Sequence, residues 1–94
     1  MKKQAPVVAV RAFTVKDYTA WRKVFEAQSD FRQQGGMTEA EILRCPKNAN
    51  KVLVIQRYES VEKMEAFFGN PELREAMAKS GVVEMLHTIV GVAA

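Results

Sequence analysis

His87 is the one histidine of this chain, and imidazole is the one side chain that ordinarily titrates near neutrality, so acid or base chemistry at physiological pH points there first. Tyr58 and Arg11 join it as candidate catalytic residues. Gln56 and Tyr58 stand two apart in a strand-like run and project to one side of it. Arg11, in a neighbouring strand, can face the same space. A phenol, an amide and a guanidinium converging there would hold a carboxylate, phenolate or enolate. Each also has a plainer reading. A strand histidine is commonly hydrogen-bonded in place, and an arginine or glutamine within a sheet commonly meets a polar neighbour or solvent.

Trp21, Met64 and Phe67 are the candidate ligand-binding residues that accompany Gln56. They sit on helical stripes, where large apolar side chains pack on a sheet, and the same side chains can wall a pocket. No metal site is expected: Cys45 is the single cysteine, with no second thiol or histidine at ligand spacing. No cofactor is expected either, since the chain has neither a glycine-rich phosphate loop nor a nucleophile elbow. Glu39 and Glu41 share a strand face, but on an edge strand such a pair reads as a solvated surface.

The elements that must position these residues follow from hydrophobic period. Residues 6–14, rich in β-branched and aromatic side chains after Pro6, predict a first strand. Asp17 precedes a helical stripe of Tyr18, Trp21, Val24, Phe25, Gln28 and Phe31, predicting one helix over 18–34, capped by Asp17 and stopped by Gly35-Gly36. Residues 37–45 predict a charged edge strand, 46–50 a turn and 52–58 a central strand. Ser60 then caps a helix that breaks at Gly69, and Asn70-Pro71-Glu72 restarts it to a stop at Gly81. Residues 83–93 predict the last strand. The order β-α-β-β-α-β defines an α+β, ferredoxin-like domain with a four-stranded antiparallel sheet.

Ninety-four residues, 48% hydrophobic and 27% charged with a net charge of +3, are expected to form a single domain over 1–94. The basic residues are scattered among acidic ones, which argues against a nucleic-acid surface. No apolar run approaches the roughly 18 residues of a membrane span, and the early apolar stretch is interrupted by Arg11, unlike a signal peptide. A cytoplasmic location is the expectation. With both helices on one sheet face, the other face, expected to carry Val7, Ala9, Phe13, Val52, Val54 and Met85, needs cover. A second copy of the same sheet supplies it about a twofold axis, so a homodimer through the sheet face is expected.

Asp17-Tyr18-Thr19-Ala20-Trp21-Arg22-Lys23-Val24-Phe25, the Gly35-Gly36 stop, Gln56-Arg57-Tyr58-Glu59-Ser60, and Asn70-Pro71-Glu72-Leu73-Arg74-Glu75-Ala76-Met77 before Gly81-Val82 together resemble the dimeric α/β-barrel superfamily. The chain is most similar to its small antibiotic-biosynthesis-monooxygenase-like members. The resemblance implies paired sheets forming a barrel-like dimer, with a pocket between each sheet and its helices or at the seam. It also implies a small aromatic or polyketide-like ligand and cofactor-independent oxidation or isomerisation. A non-catalytic ligand-binding or structural dimer is the alternative. The haem-degrading branch is not matched: it uses a strand-one asparagine, a tryptophan in a later segment and a helix-two histidine, whereas this chain has Arg11, Trp21 in helix one and His87 in the last strand.

Overall fold

Strand β1 (Val7–Val15) runs through the middle of the molecule, and every other element is arranged around it in a computed structural model that describes residues 7–92. Pro6 and Ala93, expected at strand ends, lie outside the described residues. After β1 come α1 (Tyr18–Ala27), α2 (Ser29–Gln34), β2 (Met37–Cys45), β3 (Asn48–Tyr58), α3 (Val61–Phe68), α4 (Pro71–Lys79) and β4 (Val82–Val92). The strands form one sheet in the order β2-β3-β1-β4, with every neighbouring pair antiparallel. This is the ferredoxin-like α+β arrangement, with each strand-to-strand crossover carried by a helix pair.

The helix starts form as their cap residues require. The Asp17 carboxylate accepts from the Thr19 and Ala20 amides at 2.9 and 3.3 Å, Ser60 Oγ accepts from the Lys63 amide at 3.2 Å, and Asn70 Oδ1 accepts from the Glu72 amide at 2.9 Å. Each such cap contributes on the order of 1 kcal/mol. The single helix expected over 18–34 is instead two, broken at Gln28. There the Gln28 amide turns back to the Phe25 carbonyl, which also accepts from the Arg32 guanidinium. The carbonyl that would continue the α1 ladder is thus taken by a tight turn and a side chain. The expected turn over 46–50 is shorter than predicted: β3 begins at Asn48, opposite Cys45, leaving Pro46 and Lys47 as the hairpin loop.

The helices cover one face of the sheet with two apolar clusters. Val7, Ala9, Met37 and Tyr58 pack with Met64 and Phe67 of α3. Phe13, Val15, Val52 and Val54 pack with Trp21 of α1. This corrects the face expected from sequence: Val7, Ala9, Phe13, Val52 and Val54 all lie under the helices, with Val54 0% exposed. Met85, paired with Phe13, shares that face. The open face carries the alternate set, Val8, Val10 and Ala12 of β1, Leu53 and Ile55 of β3, and Ile89 of β4. The run Val-Val-Ala-Val is apolar on both sides, so its alternation could not tell one face from the other. No helix among the described residues is long and apolar enough to cross a membrane.

Candidate functional site

Between the two clusters, where β1 reads Ala9-Val10-Arg11-Ala12-Phe13, the helix-facing row of the sheet turns polar. Arg11 lies opposite Val54 on β3, and Gln56 lies opposite Ala9, so both project under the helices at the junction of the clusters. Here the packing leaves a cavity of about 60 Å³ between sheet and helices, larger than the ~10–15 Å³ that a single water centre needs. Aromatic side chains contribute to its wall, Trp21 and Phe25 from α1 and Phe67 from α3 among them, with Met77 and Ala76 of α4 closing one side. The Trp21 ring is held at 5.5 Å from Phe13 and 5.1 Å from Phe25, centroid to centroid.

The polar groups differ in what they have left to offer. Tyr58 lies behind Gln56, and its hydroxyl donates to Gln56 Oε1 at 2.7 Å, a buried bond that leaves the amide nitrogen of Gln56 free to donate. Burial pushes the Tyr58 phenol well above its ordinary range, with Arg11 and Arg32 pulling it the other way. The phenol therefore stays neutral and acts as a donor, not a base. Arg11 stacks its guanidinium 4.5 Å from the Phe68 ring centroid, and its Nη2 has a sulfur contact with Met85 at 4.0 Å. Its Nε is buried with no hydrogen-bond partner. Arg32, from α2, also reaches the cavity, lying 3.6 Å from the Phe25 ring centroid while donating to the Phe25 carbonyl. Burial lowers the pKa of both arginines, opposed by Tyr58, yet a guanidinium remains charged at neutral pH.

Of the residues predicted from sequence, Arg11, Gln56, Trp21 and Phe67 are brought together at this cavity, with Tyr58 directly behind it. Met64 is not on its wall; it packs in the Val7 cluster. His87 is removed further, and its expected convergence with Tyr58 and Arg11 does not occur. The pairing of β1 with β4 shifts register between Ala12 and Phe13, so that Met85 faces Phe13 while His87 faces Ala12. Leu86 is the extra residue of that bulge, and it turns His87 to the open face, where it is exposed. Arg32 is the participant that sequence reasoning missed. Its spacing was the signal that could have found it: Arg32 stands seven residues after Phe25 and four after Gln28, on the face of the same helical stripe. Among the described residues no group of three or more His, Cys, Asp or Glu is placed to hold a metal ion.

A ferredoxin-like domain with a cavity between sheet and helices is the class of protein that these features define. The chain belongs to the antibiotic biosynthesis monooxygenase family, whose family model matches residues 6–79. Solved structures similar to it include SnoaB, a cofactor-independent oxygenase from Streptomyces nogalater, at 16% identity and a TM-score of 0.76, the match covering 96% of this chain and 94% of that one. An antibiotic-biosynthesis-monooxygenase-like protein from Bordetella bronchiseptica aligns at 10% identity and a TM-score of 0.79, covering 97% and 99%. One from Chloroflexus aurantiacus aligns at 12% identity and a TM-score of 0.73, covering 96% and 94%. At these identities the likeness is one of fold. No curated protein matches the chain in sequence.

Proposed function

We propose that the cavity between sheet and helices is a small-molecule site, and that the protein oxidises or isomerises a small aromatic or polyketide-like molecule there without a bound cofactor. The observation that carries this reading is the break in an otherwise apolar core at Arg11 and Gln56, where a void and two donors coincide with aromatic walls. Apolar enclosures with a few convergent polar groups are where small ligands bind. Membership of the family supports the reaction class, as does a fold shared with a cofactor-independent oxygenase. In this scheme Trp21 and Phe67 contact the ligand, Arg11 and Gln56 orient it, and Tyr58 fixes the Gln56 amide.

The unit that acts is one folded domain over 1–94, working in the cytoplasm as a homodimer through the open sheet face. Apolar exposure motivates the dimer: Ile89 of β4 is 57% exposed, and Val8, Val10, Leu53 and Ile55 line the same uncovered sheet. Patches of this kind mark association surfaces.

A second reading, a ligand-binding protein without turnover, is favoured by the position of His87, which leaves the cavity without a group that ordinarily titrates near neutrality. Oxygen uptake and product analysis with a panel of polycyclic phenols, run alongside thermal-shift binding, separates the two. Turnover that disappears when Ala76→Phe fills the cavity supports the enzyme. Binding without turnover supports the second reading. No ligand response from any member of the panel would sink both.

A further inference from the structure

We infer that α4 is a detachable lid, whose release from β4 opens the cavity through the groove that runs between them. The inference rests on the reading of the cavity as a small-molecule site and adds the route by which a ligand enters.

With α4 in place the cavity is too small for a ring system. It measures about 60 Å³, whereas an apolar cavity of ~150 Å³ is the size that takes up benzene. Part of its wall must therefore move. On the far side of α4 lies a surface groove of about 420 Å³, bordered by Phe68, Met85 and Ala78. Arg11, Leu73, Met77 and Val82 line both spaces. Of these four, only Leu73 and Met77 belong to a helix, so lifting α4 removes the partition and joins cavity to groove.

The other helices are held down and α4 is not. α1 buries Trp21, and its Tyr18 amide donates to Asn50 Oδ1 at 3.2 Å. α3 buries Met64 and Phe67. α2 buries no side chain, but Arg32 anchors it to Phe25 of α1. α4 buries none either, and its cavity-lining Leu73, Ala76 and Met77 are only half-buried. Among the described residues no side-chain hydrogen bond or ion pair links α4 to another element. Its polar contacts close locally: Asn70 Oδ1 accepts from the Glu72 amide, Lys79 pairs with Glu75 at 2.9 Å, and Ser80 Oγ donates to the Met77 carbonyl at 2.8 Å. Detachment thus breaks no polar contact to the body of the domain. The ends stay tethered, because the Asn70 amide donates to the Phe67 carbonyl at 3.1 Å and the Gly81 carbonyl accepts from the Lys16 amide at 2.9 Å. Hinges of this kind sit at the termini of elements. A helix of nine residues is too short to persist alone in water, so the freed segment frays and its amides meet solvent.

Native-state hydrogen exchange on the unliganded protein tests the opening without any ligand. Amides of residues 75–79 in α4 are expected to exchange about tenfold or more faster than those of residues 65–68 in α3, and with a weaker dependence on urea, the mark of local opening. Exchange in α4 that matches α3 in rate and urea dependence would overturn the lid and leave the small-molecule site standing. The probe for entry is 2-naphthol, its affinity taken by calorimetry and its association rate by stopped-flow fluorescence. At ten times its dissociation constant it should slow α4 exchange about tenfold, because the closed form alone holds it. Ala78→Gly, on the exposed side of α4, weakens the helix and should raise α4 exchange and 2-naphthol association together, each about fivefold, with α3 exchange unchanged. Binding that leaves α4 exchange unaltered, or association indifferent to Ala78→Gly while α4 exchange rises, would overturn α4 as the route. Fast α4 exchange with no binding of 2-naphthol would overturn the small-molecule reading and the role of the lid with it.

Discussion

Tyr58 owes its protonation state to its surroundings: the ring is packed against Phe67 and Phe68, and the hydroxyl is spent on Gln56. Tyr58→Phe should therefore cost about 1–3 kcal/mol at pH 7, because Gln56 Oε1 is left buried without its donor. The pH dependence has a definite sign. The folded phenol ionises above its ordinary value, whereas the unfolded one ionises near pH ~10. Above that pH the unfolded chain releases a proton that the folded chain retains, so the stability that Tyr58 contributes falls as pH rises, and it is fully present below. Urea denaturation at pH 8 and pH 10.5 should show the gap between the unsubstituted protein and Tyr58→Phe narrowing at the higher pH. A constant gap would mean that the hydroxyl is not protected by burial. Parity in β3 made the Gln56 and Tyr58 pair legible in the sequence. The direction of His87 was not, because a single bulged residue, Leu86, inverts the parity on which such a reading depends.

At the scale of elements, glycine serves the chain reversals for two different reasons. Gly36 and Gly81 adopt φ of +93° and +91°, a region that costs residues with a Cβ. Gly35 has ordinary backbone angles, but a Cβ built on it would run into the Phe67 ring. Gly35 thus permits close approach of α2 to α3, and Gly36 makes the turn into β2. At Gly81 a Cβ would meet nothing nearer than Lys16 Cβ at 3.8 Å, so a substitution there is a test of conformation and not of space. Gly81→Val should destabilise by about 1–3 kcal/mol, lowering the melting temperature by several degrees, with Gly81→Asn milder because asparagine tolerates positive φ. Equal melting temperatures for the three proteins would refute the role assigned to this turn. The caps at Asp17, Ser60 and Asn70 were legible because a cap is local, a side chain closing on amides two or three residues ahead. The break at Gln28 was not, because the Arg32 side chain that takes the Phe25 carbonyl comes from seven residues further on.

For the whole molecule, the choice of sheet face decides which substitutions separate folding from assembly. Val54, 0% exposed beneath the helices, is a folding residue: Val54→Glu should abolish the cooperative thermal transition, since an unpaired carboxylate in a core is among the costliest changes. Ile55, its neighbour in β3, faces the open side opposite Val10. Ile55→Glu should keep native circular dichroism and shift the sedimenting species from dimer to monomer at micromolar concentration. An unsubstituted protein that sediments as a monomer under those conditions would remove the dimer from the proposed function.

Local chemistry determined the elements of this protein. Period, caps and turn residues set the type and order of the strands and the starts of α1, α3 and α4, because those preferences act within a few residues and are printed in the chain itself. The ferredoxin-like order followed from them. Tertiary structure decided what local signals cannot encode. It placed Val7, Ala9, Phe13, Val52 and Val54 beneath the helices instead of on the open face, because strands apolar on both sides carry no marker of which side is inward. It also placed Arg11 and Arg32 at one cavity, joining residues twenty-one positions apart through a bent helix and a sheet register, neither of which exists until the chain has packed.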